Sequence, residues 1–213
     1  MKLTLKGVLQ YPWLTKLDIK HDTDGLFKTN LVTRQNTHAA IAEQLEKHLE
    51  DFIGSEEAKN LNKGKVPKQH SDGLPFVVND KAGTITFKLK NKCYRNKETQ
   101  ELWAFPMAFF DRNKQPLGSV KVDESVVVIT GSVPNIGGGT KAAVSLEVKP
   151  WVVSGKAGLS LRPKAFKIVE LVEYSGDASA DDFDDFDDDE FEGAASPQAS
   201  NKAPAGMEED DEF

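Results

Sequence analysis

Between residues 37 and 54, THAAIAEQLEKHLEDFIG, apolar side chains return every three or four positions at Ile41, Leu45, Leu49 and Phe52. That spacing lays one apolar stripe along a helix, and Thr37 and Gly54 suit its N-cap and its stop. Before it, LFKTNLVT (26–33) is a run of strand formers between turn-rich flanks. After it, residues 54–75 lose all periodicity and collect Lys59, Lys63, Lys65 and Lys68 with Gly64, Pro67 and Gly73, which predicts a long basic loop. The remainder reads as strand. TITFKLKNKCY (84–94) alternates, with Ile85, Phe87 and Leu89 on one side and Thr84, Thr86, Lys88 and Lys90 on the other. LWAFPMAFF (102–110) is almost wholly apolar, so Trp103, Phe105, Phe109 and Phe110 are assigned to the core; Asp111–Lys114 make the next turn. SVVVIT (125–130), AAVSLEV (142–148) and a run within GLSLRPKAFKIVELVEY (158–174) follow. Five or more short strands and one helix predict a mostly β chain: a closed antiparallel barrel with an attached helix and a long loop. A two-sheet sandwich fits the same periodicity.

Charge divides the chain in two. Residues 177–213 hold 15 acidic residues and one base, Lys202, leaving 26 bases and 19 acids in residues 1–176. The basic body is large enough for one core. The acidic segment cannot bury enough apolar surface to offset its chain entropy, and is expected to be disordered. A basic body tied to an acidic segment is the asymmetry of a chain that handles a polyanion and manages its own affinity for it. The start, MKLTLKGVLQYPW, lacks the apolar run of a signal peptide, and no stretch approaches the roughly 20 apolar residues of a membrane span. The single cysteine, Cys93, makes neither an internal disulfide nor a cysteine-cluster metal site. These features predict a soluble intracellular protein.

Catalytic chemistry finds no constellation here. His21, His38, His48 and His70 are scattered, and are read as surface or capping histidines. GGGTK (137–141) lacks the spacing of a phosphate loop, and no nucleophile or zinc motif is present. Neither an enzyme nor a cofactor is expected. Lysines interleaved with aromatic residues carry more. Single-stranded nucleic acid is held by cations along its phosphates and by flat side chains on which bases stack. Lys88, Lys90 and Lys92 fall at strand period two and lead to Tyr94, while Lys141 precedes a later strand and Lys149-Pro150-Trp151 follows it. Pro150 argues that Trp151 lies at a strand end.

From PNIGGGTK (134–141) through V-x-L-x-V-x-P-W (144–151) to KIVELVEY (167–174), the chain resembles the single-stranded DNA-binding proteins of short-tailed phage replication systems. LFKTNL (26–31), LPF (74–76), TITFKLKNKCY (84–94) and the acidic segment ending in phenylalanine extend the likeness. The resemblance implies a five-stranded OB-fold barrel bearing a helix, and a role in DNA replication, recombination and repair in the cytoplasm of a bacterial host. It implies that Tyr94 and Trp151 belong to the DNA-binding face, that Lys88, Lys90, Lys141 and Lys149 match or neighbour its basic positions, and that the acidic segment contacts DNA polymerase and helicase-primase. A homodimer is compatible with it. Val153 stands where such relatives carry a second aromatic residue.

The acidic segment is dotted with Phe183, Phe186, Phe191 and Phe213, the last behind Asp210, Asp211 and Glu212. Negative charge plus flat rings is also what a single strand presents to a stacking groove. As a coil this segment would span about 30–35 Å, enough to reach the body's own groove. The competing reading is an acidic-tailed histone-type chaperone or interaction module, which leaves the lysine–aromatic strands without a task.

Overall fold

The computed structural model describes residues 1–20 and 22–174, so His21 and the whole acidic segment, with Phe183, Phe186, Phe191, Asp210, Asp211, Glu212 and Phe213, lie outside the described residues. The elements run β1 (Lys2–Asp18), β2 (Leu26–Arg34), α1 (Gln35–Gly54), α2 (Glu56–Leu61), β3 (Lys68–Gln69), β4 (Phe76–Asn79), β5 (Thr84–Lys92), β6 (Tyr94–Arg95), β7 (Leu102–Phe110), β8 (Pro116–Asp123), β9 (Val126–Gly131), β10 (Lys141–Val153) and β11 (Lys156–Glu170).

Five of these strands close on themselves in the order β1–β2–β5–β11–β10 and back to β1. Closure decides for the barrel over the sandwich. It is not wholly antiparallel, because β5 meets β11 in parallel where Leu89 lies opposite Leu161. Alternation fills the inside: Phe27 and Leu31 from β2, Phe87 and Leu89 from β5, Val144 and Leu146 from β10, and Leu161 and Phe166 from β11 are all fully buried.

The amphipathic face of α1 covers part of this core with His38, Ala42, Leu45, Leu49 and Phe52. Its start differs from expectation. The cap position is Arg34, without a side-chain cap, and the Gln35 N–H is taken by the Gly83 carbonyl at 2.8 Å, so Thr37 is not needed as a cap. The expected loop after Gly54 begins instead with the short α2, whose Ser55 hydroxyl accepts the Ala58 N–H at 3.1 Å. Outside the barrel, β7 pairs in parallel with β11 and carries the β8–β9 hairpin as an outer arm. Among the described residues no helix is long and apolar enough to cross a membrane.

Candidate nucleic-acid interface

The outer surface of β2 and β5 is a lysine field. In β5, Ile85, Phe87, Leu89 and Asn91 are buried while Lys88, Lys90 and Lys92 stand exposed, as the alternation predicts. Antiparallel register then sets Lys28 opposite Lys90 and Asn30 opposite Lys88. Lys28 pairs with Asp18, and Lys92 with Asp22 at 3.0 Å. Lys90, though on the exposed side of the strand, has its pKa held below the usual lysine range, first by partial desolvation among its neighbours and then by repulsion from Lys88, Lys92 and Lys28. An anion laid along the row relieves that repulsion.

Beside this field runs β11. Leu161 faces the core, so its neighbours Ser160 and Arg162 face outward next to Lys88 and Lys90. Arg162 is only 7% exposed, its guanidinium lying 3.7 Å from the centre of the Phe105 ring. It pairs with Glu147, which also binds Lys149 at 2.9 Å. Those two cations, Lys149 foremost, lower the Glu147 pKa to about 2, so the carboxylate stays charged at any ordinary pH.

Phe105 begins a chain of rings. Trp103 meets it edge-on at 5.0 Å, and Tyr94 stacks on Trp103 at 4.9 Å with 28° between the planes. Tyr94 is 43% exposed and Trp103 39%. The core assignment of this strand is therefore corrected: Phe109 is buried, Phe105 and Phe110 are half-buried, and Trp103 is a surface ring. An apolar run can look like a core strand while one of its faces is open, because Ala104, Met107 and Phe109 already supply the inward face. Tyr94 is not the end of the lysine strand but belongs to the separate β6, where it pairs with Trp103. Arg95 ties this hairpin to Asp24 in the β1–β2 loop.

Trp151 lies at the other end of the same face. Glu147, Lys149 and Trp151 stand opposite Arg162, Ser160 and Gly158 along the β10–β11 ribbon. Trp151 sits inside this ladder rather than beyond it, since β10 continues to Val153. Pro150 is tolerated there for a geometric reason. The Val148 N–H reaches Met1 on the β1 side, so the Pro150 nitrogen faces the same side, where β1 has already ended. The Trp151 ring lies against Gly158, where a Cβ would fall 2.3 Å from Cζ2, and meets the His70 ring edge-on at 5.6 Å. The basic loop is moored alongside: Lys68 N–H bonds Gly155 at 2.9 Å and His70 N–H bonds Ala157 at 2.8 Å.

From the level of Trp151 to that of Arg162 is four residues of strand, about 13 Å. That length accommodates a short stretch of single strand, within the roughly 4–16 nucleotides that one OB fold holds. Lys88, Lys90, Lys92, Lys149, Tyr94 and Trp151 are thus gathered on one surface. Lys141 is not among them. It stands at the far end of β10, about 26 Å along the strand from Lys149, and pairs with Glu170 at 2.9 Å.

Two groups read as incidental prove to be structural. His38 is buried rather than superficial. Its Nδ1 lies 2.5 Å from the Thr33 hydroxyl, its Nε2 accepts the Lys6 N–H at 3.5 Å, and burial, followed by the Lys6 charge, lowers its pKa. The Cys93 thiol is pushed up to about 11 by burial and then by Asp22 and Asp24, which keeps it protonated. Among the described residues no group of three or more His, Cys, Asp or Glu side chains is placed to hold a metal ion.

No family model matches the chain, and no curated protein matches it significantly. Solved structures do. The crystal structure of gp2.5, a single-stranded DNA binding protein encoded by bacteriophage T7, aligns with a TM-score of 0.59 and 23% identity, over 84% of this chain and 96% of that one. The barrel is one that a phage single-stranded DNA-binding protein also uses. The single-stranded DNA-binding protein from bacteriophage Enc34 in complex with ssDNA aligns with a TM-score of 0.50 and 12% identity, over 81% of this chain and 88% of that one. At such identities the likeness is one of fold. The chain is an OB-type barrel elaborated by α1, α2 and the β7–β9 arm.

Proposed function

We propose that the chain binds single-stranded DNA without sequence preference, as a coating protein in phage DNA replication, recombination and repair inside a bacterial host. One observation carries this reading: aromatic rings at both ends of a field of lysines on a single face, exposed at one end and half-buried at the other. Tyr94 and Trp103 stack at one end, Trp151 lies on Gly158 at the other, and Lys88, Lys90 and Lys149 stand between them. Bases of any identity stack on such rings, while the lysines follow the phosphates. The fold supports the same reading, because the Enc34 neighbour is a complex with ssDNA.

The acidic segment 177–213 competes with DNA for this face and recruits DNA polymerase and helicase-primase once displaced. Its charge and spaced phenylalanines support this, as does its point of departure shortly after Tyr174, which lies beside Lys16. Tethered to the body, it acts at an effective concentration in about the millimolar range. Fluorescence anisotropy with labelled oligo-dT and with duplex DNA tests the binding; a single strand should bind tighter. Removing residues 177–213 should tighten binding most at low salt, where the competing charge is least screened. Unchanged low-salt affinity rules out competition, and an unchanged polymerase interaction rules out recruitment.

A further inference from the structure

We propose that Trp13, Lys16 and Tyr174 form an additional stacking station, reached by a single strand that leaves the lysine field across β2 and passes onto β1. The inference rests on the single-strand reading above and extends its path. Its origin is a bulge. Gln10 of β1 lies opposite Asn30, in the row that continues to Lys88, so Gln10 faces outward. Strict alternation from there sends Trp13 into the core. Between the Gln10–Asn30 and Trp13–Lys28 pairs, however, β1 uses three steps against two on β2, with Tyr11 at φ 50 followed by Pro12. The extra residue reverses the side on which Trp13 emerges. Trp13 therefore lies opposite Lys28, which lies opposite Lys90, making one outward row across three strands. Leu14, the next residue, takes the inward position and is 3% exposed.

The surroundings of Trp13 suit a base. Lys16 holds its ammonium 4.8 Å from the centre of the Trp13 ring and 5.7 Å from that of Tyr174. Tyr174 is 55% exposed, yet its backbone is fixed by two hydrogen bonds with Asn135, at 3.0 Å and 2.8 Å. Two anchored rings sharing one cation repeat the chemistry of the main face, a flat surface beside a charge that a phosphate can claim. From the Arg162–Phe105 contact to β1 is three strand spacings, about 14 Å, a distance that a single strand occupying roughly 4–16 nucleotides on one OB fold can cover.

The test compares oligo-dT of about four nucleotides, which covers the main face alone, with oligo-dT of about twelve, which also reaches β1. In the full chain, Trp13→Ala should weaken the longer oligonucleotide by about 5- to 150-fold and leave the shorter one unchanged, while Trp13→Phe retains most of the affinity. A second readout leaves Trp13 intact. The chain has 3 tryptophans, so the Trp103→Phe, Trp151→Phe double variant reports on Trp13 alone. Its emission should be quenched by saturating long oligo-dT and not by the short one. Equal losses for both lengths on Trp13→Ala, or emission unmoved at saturation with the long strand, overturn the proposal. If the unmodified chain binds neither length, the single-strand reading itself falls, and this station with it.

Discussion

Replacing Lys88, Lys90 and Lys92 together by alanine removes the lysine row of β5 without entering the core. All three point outward, and the one ion pair lost among them, Lys92 with Asp22, is an exposed pair worth at most about 1 kcal/mol. Removing Lys90 also relieves the repulsion from Lys88, Lys92 and Lys28 that lowers its pKa. The melting temperature should therefore hardly move. Binding should change in a specific way. With Lys88, Lys90, Lys92 and Lys149 each meeting a phosphate, log affinity falls with log salt at a slope near −3, from about −0.7 per contact. The triple variant keeps one contact, so its slope should be about −0.7. A tenfold rise in salt then weakens the parent by about 600-fold and the variant by about 5-fold. Anisotropy titrations of labelled oligo-dT across a salt series measure both slopes. Lys141→Ala is the control, since Lys141 stands at the far end of its strand from Lys149. A triple variant with the parent's slope, or a Lys141→Ala slope flattened as much as the triple variant's, would refute the assignment of phosphate contacts.

Further predictions concern rings and a buried histidine. Tyr94→Ala and Trp103→Ala should each weaken oligonucleotide binding by about 1–3 kcal/mol, and the double variant by less than their sum, because the two rings stack on each other; titration calorimetry giving strictly additive losses would contradict a shared platform. Gly158→Ala places a Cβ 2.3 Å from Trp151 Cζ2 and so must move that ring. It should lower stability by about 1–3 kcal/mol and weaken binding, and a variant equal to the parent in melting and affinity would show that Trp151 is not seated there. His38 has a lowered folded pKa, so the stability it contributes is complete above about pH 6.5 and is lost as pH falls through that value toward the folded pKa. Urea denaturation should show this acid limb in the parent and lose it in His38→Gln; identical limbs would remove His38 as its cause.

Much of the barrel was legible because its strands obey simple alternation. The stretch 84–94 and the helix from residue 37 to Gly54 announce both their type and their buried face, and the observed β5 and α1 follow them closely. β1 was not legible. Gly7 and the Tyr11-Pro12 bulge break its period, and the pairing that restores it comes from β2, a partner that no local pattern reveals. α2 is too short to display a helical period. At the site, the lysine row and Trp151 could be read from spacing, but Trp103 could not. Whether a ring in an apolar strand faces core or solvent depends on what covers that strand, and Tyr94 is the residue that reaches across to it. The signal for the Tyr94–Trp103 register is the NKET turn between them, since a hairpin places aromatic residues on its two arms side by side. Lys141 misled for the opposite reason, being close to the triple glycine in sequence but at the wrong end of a long strand.

The central claim is that a single strand lies on this face with its bases on these rings. Photo-crosslinking of bromodeoxyuridine-substituted oligonucleotide to the full chain, followed by mapping of the modified peptides, tests it most directly. The account predicts adducts at Tyr94, Trp103 and Trp151. Adducts confined to the β8–β9 hairpin, or equal labelling when those three rings are replaced, would contradict it.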